Sequence, residues 1–199
     1  IQLQTPEVYR HQPVDSGVIQ VPADVEGREV VWSHVVRQRD AAWLRLNFSA
    51  VQLDSRSLLR VESLQDGAIQ RLNHDRLVEW QNTTAYFNGN AVRIDLLAGP
   101  GSSSRVQLDG VWTQAEPGLS TTICFDDDRS ESSDPRLARL MPIRCTGFLI
   151  DDPGRNFLTA GHCSENTSLL NVAQFNVPPS DVVGNPQHPD PIHQYAVDT

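Results

Sequence analysis

Hydrophobic and polar residues alternate along the first half of the chain, with a period of two from about Val30 onward. That period marks strands with one face buried and one face wet. In WLRLNFSA, Leu44, Leu46 and Phe48 point one way, and Arg45, Asn47 and Ser49 the other. LLRVES repeats the pattern with Leu59 and Val61 inward. AVRIDLL sets Val92, Ile94 and Leu96 against Arg93 and Asp95, and RVQLDGVW does the same with Val106 and Leu108. Asn88-Gly89, between TTAYF and AVRIDLL, predicts a hairpin turn because both residues tolerate positive φ. Pro100-Gly101 and the serines after it predict a further loop. No segment carries a convincing stripe of period 3.6. The expected fold class is therefore all-β: residues 1–22 as a polar, Pro-containing surface arm and residues 23–114 as an antiparallel β-sandwich.

The stretch QAEPGLSTTICFDDDRSESSDPRLARLMP is rich in Pro, Gly, Ser and acid. It predicts a linker over 115–122 and a second unit over 123–199, again β-rich. CTGFLI is short and apolar, as a buried strand should be; DDPGRN turns the chain; FLTA is the partner strand, ending at Gly161. This hairpin brings Cys145 and Cys163 to its open ends, the geometry a disulfide requires. The bridge would anchor the turn that carries His162. An imidazole used as a general base has to be fixed in position and tautomer. Ala160 and Gly161 are small and would let another segment approach. SLLNVAQFNVP reads as a strand pair or one long strand, and PPSDVVGNPQHPDPIHQYAVDT as loop, since its prolines exclude an interior strand over most of it.

Composition narrows the function classes. A hydrophobic share of 39% and a charged share of 21% predict a packed globular chain. A formal net charge of −9 excludes nucleic acid as a partner, because no basic stripe exists to neutralise phosphates. No apolar run approaches the length of a bilayer span, which leaves the membrane out as well. Ile1 reads as a processed end. All 16 basic residues are arginine; codon usage explains this, with resistance to a lysine-cleaving protease as the alternative. Three cysteines leave Cys124 over once Cys145 and Cys163 pair. The sequons at Asn47, Asn82 and Asn166 fit a secreted chain.

Other polar residues read as structural. His34 and His74 are isolated, and Trp32, Trp43, Trp80 and Trp112 read as core or edge packing rather than a sugar platform. Asp126-Asp127-Asp128 reads as a solvated turn, with calcium binding or pairing to Arg129, Arg136 or Arg139 as alternatives. His188, Asp190 and His193 in HPDPIH read as a surface loop rather than a metal site, because two prolines keep the histidines off one helix face.

Thr159-Ala160-Gly161-His162-Cys163 resembles the histidine motif of chymotrypsin-like serine proteases. Cys145 matches the cysteine that pairs with the one after that histidine, and Gly147 falls where the family carries a small residue. The chain is similar, more widely, to secreted trypsin-like peptidases related to lysyl endopeptidases. In that group a sandwich with an AxWLRLxF-like strand precedes segments resembling Thr122 to Cys124, Asp127 to Arg129, Phe175 to Pro178 and Gln194 to Asp198. The resemblance implies a secreted serine endopeptidase acting on protein or peptide substrates through a His-Asp-Ser triad. It implies the first β-barrel half of a chymotrypsin-like double barrel, His162 as catalytic base, and no metal or organic cofactor.

The departures from the family are equally specific. No Gly-Asp-Ser-Gly-Gly follows His162; the one Asp-Ser-Gly, at Asp15 to Gly17, lies far upstream and reads as a turn. The triad aspartate is either Asp198 or, as the resemblance favours, a residue further on; Asp181 and Asp190 sit in Pro-rich loops and are poorer candidates. These 199 residues are thus expected to be an N-terminal piece, inactive alone, which a second chain could complement by completing the barrel and pairing with Cys124. Two alternatives stand beside this reading: a protein- or glycan-binding protein with a degenerate protease part, and a sandwich serving as a protease pro-region.

Overall fold

Alternating sequence becomes strand wherever its apolar side finds a partner. The computed structural model describes residues 7–114, 132, 134–154, 156–165, 170–181 and 185–198. The expected linker, Cys124, the Asp126 to Asp128 run and Asn166 lie outside those residues. The fold is all-β, in two units: Tyr9–Thr113, and Ile1–Val8 with Gln114–Thr199.

The first unit is built on two antiparallel sheets. One joins β1 (Glu7–Asp15), β9 (Ser103–Gln114), β4 (Trp43–Gln52) and β7 (Phe87–Asn88) in that order, with β2 (Ile19–Gln20) also paired to β9. The other joins β3 (Glu29–Arg37), β8 (Ala91–Ala98), β5 (Ser57–Ser63) and β6 (Ile69–Leu72). The inward residues read from the alternation are all buried: Leu44, Leu46 and Phe48; Leu59 and Val61; Val92, Ile94 and Leu96; Val106 and Leu108. Each such side chain contributes about 1.5–3 kcal/mol by leaving water. On the opposite face Asp95 accepts from the Ser33 hydroxyl (2.6 Å) and from Arg60 (2.6 Å), both directly across the sheet. A single short helix, α1 (His74–Glu79), starts at an Asn73 cap whose side chain accepts from the Arg76 N–H.

Three expectations for this unit are corrected. Of the surface arm expected over 1–22, residues 7–15 and 19–20 are instead β1 and β2, hydrogen-bonded members of a sheet. Polar side chains and Pro13 hide β1 in the sequence, yet Tyr9 tilts against Trp112 (ring centroids 4.7 Å) and its hydroxyl bonds Asp109. Asn88-Gly89 does not close a hairpin. β7 pairs with β4, whereas β8 pairs with β3 and β5, so the chain changes sheets at Gly89, where φ is +92°. Arg45 is not solvated: the 83–84 segment covers it, and its guanidinium donates to the Thr84 carbonyl (3.0 Å) and the Thr83 hydroxyl (2.8 Å). The tryptophans pack as expected, with Trp43 and Trp80 buried.

The second unit holds one five-stranded sheet in the order β12 (Phe157–Thr159), β11 (Cys145–Leu149), β10 (Leu137–Pro142), β13 (Leu170–Gln174), β14 (Gln194–Ala196). The LNVAQ stretch is thus one strand, and β14 arises within the stretch read as loop. Ala138, Leu140, Leu170 and Ala173 form the core of one face, packed against Cys145, Phe157, Phe175 and Val197. A Cβ on Gly147 would lie 2.9 Å from Leu140 Cδ1 and 3.3 Å from Phe157 Cδ1, so a side chain there would push into the packed Leu140. The other face carries two cross-strand rows. Leu137, Phe148 and Leu158 sit directly opposite one another and are 36%, 45% and 48% exposed. Beside them run Thr146, Arg139, Gln174 and Gln194, one from each of four strands.

Candidate functional site

The hairpin predicted from CTGFLIDDPGRNFLTA is present. Gly147 pairs with Thr159, Phe148 with Leu158 and Leu149 with Phe157. The turn between them is held by Asp152, whose carboxylate accepts from the Asn156 N–H (3.0 Å) and side-chain amide. The Thr159 hydroxyl donates to the Thr146 carbonyl (2.9 Å) and ties the strands near their open end. After the extended Ala160 the chain enters a 3-10 turn, Gly161–Cys163. The Cys163 N–H donates to Ala160 O (2.8 Å) and the Ser164 N–H to Gly161 O (3.1 Å). Cys145 and Cys163 are disulfide-bonded, with Cα atoms 6.2 Å apart. His162 is thereby fixed one residue from the bridge at the mouth of the hairpin, with its side chain exposed.

One imidazole nitrogen of His162 and the two cysteine Sγ atoms lie within 4.8 Å of one another. Among the described residues His162 makes no hydrogen bond and no ion pair, so no carboxylate orients its ring there. A Cβ on Gly161 would meet nothing within 4 Å, so among the described residues no segment approaches it as the small residues suggested. Asp198, the in-chain candidate for the orienting carboxylate, is exposed just beyond β14. Asp181 and Asp190 serve local turns. The first accepts from the Asn185 N–H (2.7 Å) and side-chain amide (2.9 Å), and the second from the Ile192 N–H (3.0 Å). Ser16, in the upstream Asp-Ser-Gly, is part of a turn closed by Asp15 Oδ1 accepting from the Gly17 N–H (2.8 Å).

The surface-loop reading of HPDPIH is overturned for one residue. His188 is 2% exposed and lies over the polar row of the sheet. Gln174 Nε2 donates to Nδ1 of His188 (2.9 Å), and Arg139 Nη2 lies 3.3 Å from the same nitrogen. With Nδ1 accepting, the ring proton belongs on Nε2. Burial, reinforced by the charges of Arg139 and Arg144, holds the His188 pKa well below its ordinary value, so the ring is neutral. Arg139 also donates to Gln187 O (2.7 Å), and Gln194 Nε2 to Pro189 O (2.7 Å), which fastens the 187–189 loop to the strands. His188 and His193 do not converge: His193 is half-buried, with Asn176 Nδ2 near its Nδ1. Nothing in the sequence distinguishes Arg139, Gln174 and Gln194 as a set, because residues that far apart reach one row only through the strand register.

No protein-family model, no curated protein and no solved structure matches the chain.

Proposed function

We propose that these residues form the histidine-bearing part of a secreted serine endopeptidase, with His162 as the general base. The observation that carries this reading is the fixed and exposed placement of His162 at the mouth of a disulfide-closed hairpin. In this reading the two sheets of the first unit form a β-sandwich, and the five-stranded sheet is the first half of a chymotrypsin-like double barrel.

The chemistry follows from the imidazole. His162 takes the proton of a serine hydroxyl as that oxygen attacks the scissile carbonyl, then returns it to the leaving amine. A carboxylate on the other ring nitrogen holds the tautomer, and backbone N–H groups stabilise the oxyanion. The reading requires a serine outside these 199 residues, because no serine after His162 has the family's Gly-Asp-Ser-Gly-Gly surroundings.

The test is a fluorophosphonate probe applied to the native full-length protein. Labelling of one serine, abolished by His162→Ala, is the expected result. A competing reading, a binding protein with a protease-like relic, draws on the lack of any carboxylate bonded to His162 among the described residues. Absence of labelling in the native protein would decide for that relic.

A further inference from the structure

His162, Cys145 and Cys163 are the only group of three potential metal-ligating His, Cys, Asp or Glu side chains whose donor atoms gather at one point among the described residues. While the two sulfurs are bonded to each other, neither is a thiolate and neither ligates a metal. We propose that reduction of the Cys145–Cys163 bond converts this corner into a Cys2His site for zinc or a similar thiophilic divalent ion.

The geometry favours it. Zn–S bonds of about 2.3 Å and Zn–N bonds of about 2.0 Å at tetrahedral angles set S···S near ~3.8 Å and S···N near ~3.6 Å. The three donor atoms lie within 4.8 Å of one another, with the two sulfurs at bonding distance, so once the bond is broken the sulfurs must part by roughly 2 Å to take a zinc ion between them. Cys145 pairs with Leu140 on β10 and the Cys163 N–H donates to Ala160 O, so backbone hydrogen bonds still restrain both residues after reduction, more loosely than the bridge does. Exposed His162 leaves the fourth coordination position to water. Two thiolates and an imidazole select zinc over magnesium or calcium. The balance is complete with a dithiol as reductant. It supplies two electrons and two protons to the S–S bond and becomes a cyclic disulfide; metal binding then releases the two thiol protons to buffer. The metal would occupy the imidazole that proteolysis needs, but the site itself does not depend on the protease reading.

The experiment uses the full chain carrying Cys124→Ser, which removes the third thiol. Reduced with a dithiol, freed of excess reductant and titrated anaerobically with Co2+, it should bind one equivalent. Thiolate-to-cobalt charge-transfer bands and tetrahedral d–d bands should appear, and Zn2+ should displace them. His162→Gln, with the far-ultraviolet circular dichroism unchanged, should weaken binding at least tenfold. The oxidised protein should give no such bands. Equal binding in the oxidised protein, undiminished binding in His162→Gln, or no cobalt bands after reduction would each overturn the proposal. A reduced chain that loses its β-sheet dichroism and binds cobalt equally with and without His162 overturns it too. Loss of serine labelling in the preceding experiment would leave these outcomes unaffected.

Discussion

Arg139 on β10 donates from both Nε (2.9 Å) and Nη2 (2.7 Å) to the side-chain carbonyl of Gln174, its direct neighbour across the sheet on β13. Gln174 is fully buried, and its amide in turn serves His188 and Gln194. Gln174→Ala therefore strips several buried groups of their partner at once. The expected loss is ~2–4 kcal/mol of stability in the second unit, read from urea denaturation. A loss below 0.5 kcal/mol would mean that the network contributes little.

Acid should weaken the same network before it reaches the carboxylates. His188 is neutral in the folded chain and has its pKa held well below 6.5; unfolded, it binds a proton near 6.5. The unfolded state thus binds more protons as pH falls below about 6.5. Stability contributed by neutral His188 is present above that pH and declines below it, by up to about 1.4 kcal/mol per pH unit. Asp134, brought down to about 2 by the hydrogen bonds of Arg136, responds only in far stronger acid. Denaturant midpoints between pH 7.5 and pH 5 should fall, and His188→Gln should flatten that slope.

A side chain at Gly147 would force Leu140 to move. Gly147→Ala should destabilise the hairpin by ~1–3 kcal/mol, because its Cβ meets Leu140 at 2.9 Å in a packed core. A thermal melt is sufficient to check this, and Gly147→Ala should cost less when made in a Leu140→Ala background than in the native chain.

Breaking the bridge should act on both stability and chemistry. Cys145 and Cys163 are 18 residues apart, and closing a loop of that size is worth about 3 kcal/mol through the unfolded chain. Cys145→Ser should lower the melting temperature accordingly. If the proposed protease chemistry holds, it should also slow fluorophosphonate labelling of the native protein, since the turn holding His162 loses its anchor. Unchanged labelling would show that the β11–β12 pairing alone positions the ring.

Much of the strand content was legible because alternation is a local signal. Leu59 and Val61 needed only their neighbours in sequence to be placed inside. The His162 hairpin was legible for the same reason: both strands, the turn and both cysteines fall within one short stretch. What escaped depended on partners far away in sequence. Gly89 looked like a hairpin turn because its local chemistry is the same whether the chain folds back or crosses to another sheet. His188 looked like a surface residue because its burial is supplied by Arg139 and Gln174, 49 and 14 residues earlier. β1 was hidden by polar side chains that find partners across the sheet, as Tyr9 does with Asp109.

Leu137, Phe148 and Leu158 give the hairpin an oily outer side, and β12 closes the sheet with one flank unpaired among the described residues. Such a flank is a template onto which a strand of a neighbouring molecule can add. The net charge of −9 opposes that approach at low ionic strength, and salt screens the opposition. Colloidal behaviour should therefore follow salt: dispersed in dilute buffer, self-associating as ionic strength rises. The strand pair whose inner face helps hold His162 would, through its outer face, set how concentrated a solution the protein tolerates.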